Sequence, residues 1–413
     1  MIVDFASDNP FYEDPAIRSH FVGRERELRV VKARVESVAR HGKSHSISVP
    51  GFTGFGKSSF LTYICSEART QGLCFAFVEL GKPRSGDQLA KDQLLEIFDG
   101  AIWGIESWSK SNGRDVDILL DDRCERILDT CRQFDRRLTN GDFVQLMDFI
   151  LKKVILEDAT GFALVLDQAE NLEPETMQSL RSALARSKCL LLALGWRVPR
   201  DTRHKTPVEE LFRANMDNLA VRARADDGIF VKFTETTLAM KQFDSLDEAR
   251  QCIRVRLGDD EGGRFPEHII DAIAVASARQ PRRIVQLCHH VYEAASLSGQ
   301  FEISDDDLRM AMRIEMMNEW QALEQEIEDL TETGRILLSK IIDCGQSTDL
   351  PAVLRRLDSD RPVDQTWLAE VEDDLLKMTK SCDALDYSAE TQRITFRRAA
   401  TYVLMKFMIE LYV

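Results

Sequence analysis

At 413 residues, 44% apolar and 30% charged, the chain has the composition of a soluble globular protein and the length of two or three domains. Its formal net charge of −15 argues against a general electrostatic hold on nucleic acid. No run of about eighteen apolar residues is present, so a membrane span is not expected.

The opening residues, MIVDFASDNPFYEDP, carry acids where a secretory leader carries bases, so a cytoplasmic protein with no membrane partner is expected. The nine cysteines are Cys65, Cys74, Cys124, Cys131, Cys189, Cys252, Cys288, Cys344 and Cys382. They are odd in number, widely spaced and never arranged as C-x-x-C. Free, mostly buried thiols fit that pattern better than disulfides or a zinc site. His289 and His290 are adjacent and point different ways on a helix, unlike metal ligands at i, i+3 or i+4.

An extended lead-in with Pro10 and Pro15 opens the chain, and a helix pattern follows over Arg24–Ala39. Ser44–Pro50 reads as a strand, Gly51–Gly56 as a loop and Lys57–Ala68 as a helix. Leu73–Leu80 (LCFAFVEL) is a second strand, apolar almost throughout, as in parallel sheets covered on both faces. Residues 81–160 read as mostly helical, with a polar break at Trp108–Asp115. Phe162–Leu166 and Cys189–Leu194 are further buried strands around a helix over Pro174–Ala185, and Phe230–Thr234 is a fifth strand. Strands alternating with helices indicate a parallel α/β sheet. Beyond residue 235 the pattern becomes helical, over Leu246–Leu257, Pro266–Ala278, Arg282–Ser296 and Asp305–Asp329. Residues 331–413 read as three helices, a strand pair around Ala384–Phe396 and a last helix, the order of a winged-helix domain.

Within this frame, Gly51-Phe52-Thr53-Gly54-Phe55-Gly56-Lys57-Ser58 matches G-x-x-x-x-G-K-[ST] between a strand and a helix, the context the motif requires. Glycines let the backbone fold around an anion, and successive N–H groups then point inward at phosphates. The helix that begins at Lys57 adds its positive end. Lys57 is expected on the β- and γ-phosphates and Ser58 on Mg²⁺, with Ser59 next along the same helix. ATP and Mg²⁺ are the cofactors this predicts.

FALVLDQAE places Asp167 directly after a buried strand, where P-loop proteins carry the Mg²⁺-associated aspartate. The next residue is Gln168, which can orient water but cannot take its proton at neutral pH. Glu170 either substitutes for a carboxylate at that position or only caps the following turn. Slow turnover is the expectation.

These residues resemble the AAA+ and STAND-type P-loop ATPases, in particular bacterial proteins of the origin-recognition (Orc/Cdc6-like) branch. The likeness is carried by NPF near the start and by Phe21-Val22-Gly23-Arg24-Glu25-Arg26-Glu27-Leu28, the segment that in that group packs beside the adenine base. It implies nucleotide contacts from Val22 and Arg24. Ala278-Arg279-Gln280-Pro281-Arg282 resembles the second sensor, with Gln280 in place of the usual glycine, and implies that Arg282 reaches the γ-phosphate. Arg283 competes for the role. Gly195-Trp196-Arg197 occupies the first-sensor position, where Arg197 looks like the STAND form. A finger acting across a subunit contact would come from Arg200, Arg203, Arg213, Arg222 or Arg224, and nothing in the sequence chooses among them.

The expected fold is α/β: a P-loop parallel sheet sandwiched by helices, followed by a small helical lid domain and a winged-helix domain. The expected boundaries are 1–20 for the lead-in, 21–234, 235–318 and 319–413. Over residues 331–413 there are 11 Lys/Arg and 14 Asp/Glu, a net of −3, so a protein-facing role is favoured over DNA for the last domain. A local basic cluster of Arg355, Arg356, Arg393, Arg397 and Arg398 keeps DNA open. The resemblance implies an ATP-driven switch that self-assembles or recruits a separately encoded effector, as in bacterial defence or regulation. The alternatives are a DNA-loading ATPase of the Orc/Cdc6 or transposition-regulator type, and a passive nucleotide-binding scaffold.

Overall fold

The computed structural model describes residues 11, 21–81, 93–113, 121–134, 137–156, 158–197, 236–261, 264–298, 302–328, 330, 332–357, 371–373, 375–376, 378–379 and 384–409. It divides into two compact units, Pro15–Lys241 and Met1–Asp14 with Gln242–Val413.

In the first unit, α1 (Glu25–His41) leads into β1 (His45–Gly51), α2 (Lys57–Thr70), β2 (Leu73–Glu79), α3 (Gln93–Ser111), α4 (Asp122–Phe134) and α5 (Asn140–Leu156). Then follow β3 (Gly161–Asp167), a 3₁₀ turn (Ala169–Asn171), α6 (Pro174–Arg186), β4 (Leu190–Arg197) and β5 (Thr236–Thr237). The five strands pair in parallel in the order β2-β3-β4-β1-β5. Every residue of β1 and β3 is buried, on both alternating faces, which requires helices on both sides of the sheet. Helix α2 packs on β1 through β4, α3 on β2 and α5 on β3. The expected strand Phe230–Thr234 and the candidate finger arginines 200, 203, 213, 222 and 224 lie outside the described residues.

In the second unit come α7 (Leu246–Glu261), α8 (Glu267–Ala276), α9 (Pro281–Ser298), α10 (Asp305–Glu315) and α11 (Met317–Glu328). Next are α12 (Glu332–Cys344), β6 (Ser347–Asp349), α13 (Leu350–Leu357), β7 (Leu385–Ser388), β8 (Arg393–Phe396) and α14 (Ala399–Ile409). The strands form an antiparallel sheet, β6-β8-β7, whose helix–strand order is that of a winged helix. The helical and winged segments share one apolar core, with α8 against α14. The sequence pattern predicts one helix from Asp305 to Asp329. The structure breaks it at Met316 (φ −114°, ψ 33°), which redirects the chain so that Met316 and Trp320 are both buried. Strand β6 was not foreseen, being three residues long and half-exposed.

Six of the eight described cysteines are buried. Burial pushes the Cys65 and Cys74 thiols up to about 12, which keeps them protonated and inert. Among the described residues no helix is long and apolar enough to cross a membrane.

Helix α3 lies so close to β2 that a Cβ on Gly104 would stand 2.5 Å from the Phe75 carbonyl oxygen and 2.9 Å from Ala76 Cβ. Alanine gains about 1 kcal/mol of helix propensity over glycine. Overpacking against a backbone atom costs about 1–3 kcal/mol. Gly104→Ala is therefore expected to lower the midpoint of denaturant unfolding, and a raised midpoint would refute the close approach.

Candidate nucleotide site

The site is assembled at the carboxyl ends of the parallel strands. Strand β1 runs into a loop, 51–56, that turns directly into α2. Gly54 and Gly56 have φ of 84° and 83°, a left-handed backbone that disfavours other residues. Gly51 is needed for space instead, since a Cβ there would lie 2.9 Å from Met240. The variable positions of the motif are anchors. Phe52 and Phe55 are buried and meet edge-on at 5.6 Å, so the loop is pinned into the core by its own side chains. Thr53 is exposed and Ser59 half-buried on the first turn of α2. That helix has no side-chain cap and no acid in its first turn, so nothing there offsets the positive end of its dipole, which favours an anion.

Lys57 donates to the Phe52 carbonyl at 2.9 Å, closing the loop on itself. Burial lowers its pKa. Asp167 and Glu170 pull it back up, and Arg197 adds to the lowering. The strand order explains the convergence. Strand β4 lies between β1 and β3, so Arg197 at its end stands between the loop and Asp167. The side chain of Asp167 is 6% exposed and accepts from the Ser58 hydroxyl at 2.6 Å. Its other oxygen accepts from the Gln168 N–H at 2.8 Å. Gly195 on β4 leaves room for this, as a Cβ there would stand 3.1 Å from Asp167 Oδ1. Glu170 accepts from the Arg197 N–H at 2.8 Å.

The lead-in also reaches the loop. Arg24, at φ 63°, sits at the start of α1 and donates to the Phe55 carbonyl at 3.1 Å and to the Lys241 carbonyl. Val22 is buried, and Phe21 lies 5.9 Å and 5.4 Å from the Phe60 and Tyr63 rings. Phe11 of the NPF segment packs elsewhere, 5.5 Å from Phe265 in the core of the second unit.

Residues 20–193 match the profile of the AAA ATPase domain. No curated protein sequence matches the chain significantly. Among solved structures it is similar to the Aeropyrum pernix ORC2 protein in ADPNP and ADP complexes, at 13% identity, 98% coverage of each chain and a TM-score of 0.48. It is similar to the Aeropyrum pernix ORC1 protein in complex with DNA, at 15% identity, 98% and 97% coverage and a TM-score of 0.43. Thermotoga maritima RuvB, a Holliday junction branch migration motor, gives 16% identity, 94% and 96% coverage and a TM-score of 0.42.

The donors at the end of β3 and the start of α2 suit Mg²⁺ bound to a nucleotide. Ser58 and Asp167 supply two hard oxygens in contact. Among the described residues no group of three or more His, Cys, Asp or Glu could hold a metal alone. Mg²⁺ characteristically takes one or two protein oxygens and completes its shell with phosphate and water.

Arg282 is exposed at the start of α9, and its competitor Arg283 is held by Glu319 at 2.5 Å. In the basic cluster, Arg397 pairs with Asp386 at 3.0 Å and Arg356 donates to the Asp343 carbonyl at 2.6 Å. The residue that sequence reasoning missed is Glu79, at the end of β2 opposite Asp167, where it accepts a hydrogen bond from Gln168. The signal was present: LCFAFVEL, like FALVLD, is an apolar run with an acid at its carboxyl end.

Because burial lowers the folded-state pKa of Lys57, its charge penalises the native state below that pKa. The penalty fades as pH rises toward the ordinary lysine value. Lys57→Met is thus expected to melt at or above the wild type without nucleotide at pH 7. Its margin should close at alkaline pH, and it should lose the ATP–Mg²⁺ stabilisation, all read by a thermal melt series.

Proposed function

We propose that the chain is an ATP-binding, slowly hydrolysing switch that self-associates or recruits a partner protein while ATP is bound. The observation that carries the reading is the Ser58–Asp167 contact of 2.6 Å beside the uncapped start of α2. It joins a phosphate cradle to a Mg²⁺-compatible oxygen pair. The loop N–H groups and Lys57 would hold the phosphates, Ser58 and Asp167 the Mg²⁺, and Val22 and Arg24 would lie toward the base. Bound Mg²⁺ neutralises charge on the phosphates.

Of the acidic residues near Asp167, Glu170 is the one fixed at the end of β4, where it accepts from the Arg197 N–H at 2.8 Å. As a water oxygen bonds to the γ-phosphorus and the bond to the bridging oxygen breaks, Glu170 accepts the water's proton. Gln168, in the position beside Asp167, has no basic form to share this work. Turnover is therefore slow, and the bound state is long-lived enough to signal. By the family resemblance, Arg197 and Arg282 report the γ-phosphate. A difference in their interaction with ATP and ADP is what shifts the protein between states.

Light-scattering mass determination with and without ATP–Mg²⁺, on wild type and Lys57→Ala, tests the switch. Nucleotide-dependent growth in mass of the wild type alone is expected. Unchanged mass in both proteins would refute self-association. Strong ATP-dependent DNA binding that weakens steeply with salt would replace this reading with a DNA-loading one.

A further inference from the structure

The turn after Asp167 is strained and held from two sides. Gln168 has φ 56°, a left-handed conformation that L-residues other than glycine rarely adopt. On the β2 side, the Asn171 amide donates to the Leu80 carbonyl at 2.8 Å, and the Gln168 side-chain NH₂ donates to Glu79. A carboxylate only accepts, so the chemistry itself fixes which end of the glutamine amide faces Glu79. On the β4 side, Glu170 accepts from the Arg197 N–H at 2.8 Å. Strand β2 borders β3 on the side away from β4 and β1. Gln168 is thus drawn away from the phosphate loop, and Glu170, two residues later, is carried toward it.

We propose that Glu79 is a positioning residue for Glu170: by clamping the Gln168 amide it holds the left-handed turn that presents the Glu170 carboxylate to the end of β4, at the Arg197 N–H. The inference rests on the reading of Glu170 as the base for ATP hydrolysis. It also accounts for a glutamine after Asp167. A glutamate there would face the Glu79 carboxylate, and their repulsion would open the turn that aims Glu170.

The test is steady-state ATPase with separate ATP affinity and melting measurements on the full chain. Glu170→Gln is expected to lose roughly a hundredfold in kcat, the scale of a general base. Glu79→Ala is expected to lose about tenfold or more, the scale of a misplaced group, with ATP affinity unchanged. Glu79→Gln keeps an acceptor oxygen and retains most of the turnover. Gln168→Glu falls like Glu79→Ala. The exchanged pair Glu79→Gln/Gln168→Glu, in which donor and acceptor trade places, recovers. In the Glu170→Gln background Glu79→Ala costs nothing further, because its effect runs through Glu170.

Unchanged kcat in Glu79→Ala, an undiminished further loss in the Glu170→Gln background, or faster turnover in Gln168→Glu would each overturn the role of Glu79. Unchanged turnover in Glu170→Gln would instead sink the assignment of the base, and absence of ATP binding by the wild type would sink the site itself. Were Glu79→Ala to unfold, Gln168→Glu and the exchanged pair decide the matter by the same criteria.

Discussion

The Ser58–Asp167 hydrogen bond depends on a strand order that lets two distant stretches of chain meet. Ser58 follows β1 and Asp167 ends β3, yet the two strands are not neighbours, because β4 runs between them. The contact closes over β4 only because that strand carries glycine at position 195, where a side chain would crowd both Asp167 and Leu61. Parallel strands bring all their carboxyl ends to one edge, so loop, aspartate and Arg197 arrive together without any of them being adjacent in sequence. Every other feature of the candidate site is an elaboration of that edge.

The elaborations are costly in the unbound protein. Lys57 is held in a place where burial opposes its charge, and Asp167 and Glu170 only partly offset this. Arg24 and Gln168 occupy left-handed backbone without being glycine. Each is then held by specific bonds, Arg24 by the Phe55 and Lys241 carbonyls and Gln168 by Glu79. A site built this way is preorganised for an anion, since the positive groups are already in position and need no rearrangement when phosphate arrives. The two buried phenylalanines of the loop supply the rigidity, linking the phosphate cradle to the same core that supports the sheet.

Much of this was legible in the sequence for a definite reason. Apolar runs such as FALVL can only be buried strands, and the spacing of glycines and lysine in the loop answers to phosphate geometry, which is local. Hence the loop, the four longer strands, the helix that follows Lys57 and the place of Asp167 were read correctly. Less local features escaped. The break at Met316 depends on burying Met316 and Trp320 together, and β6 exists only because β8 pairs with it. Which strand end Gln168 and Glu170 each reach could not be read from spacing, since it depends on the neighbours that the sheet supplies.

The sequence by itself determined the chemistry available: a phosphate loop, an aspartate at a strand end, a glutamine where a base would be expected, and a family likeness carried by the lead-in and sensor segments. Short-range patterns decide such things because the backbone geometry of a loop or strand is set by its own residues. Only the tertiary structure decided how that chemistry is deployed. It drew Gln168 to Glu79 and Glu170 to Arg197, in opposite directions across β3. It tied Arg24 to the loop and Arg397 to Asp386. These outcomes follow from which strands and helices become neighbours, and neighbours are chosen by the packing of the whole core rather than by any segment alone.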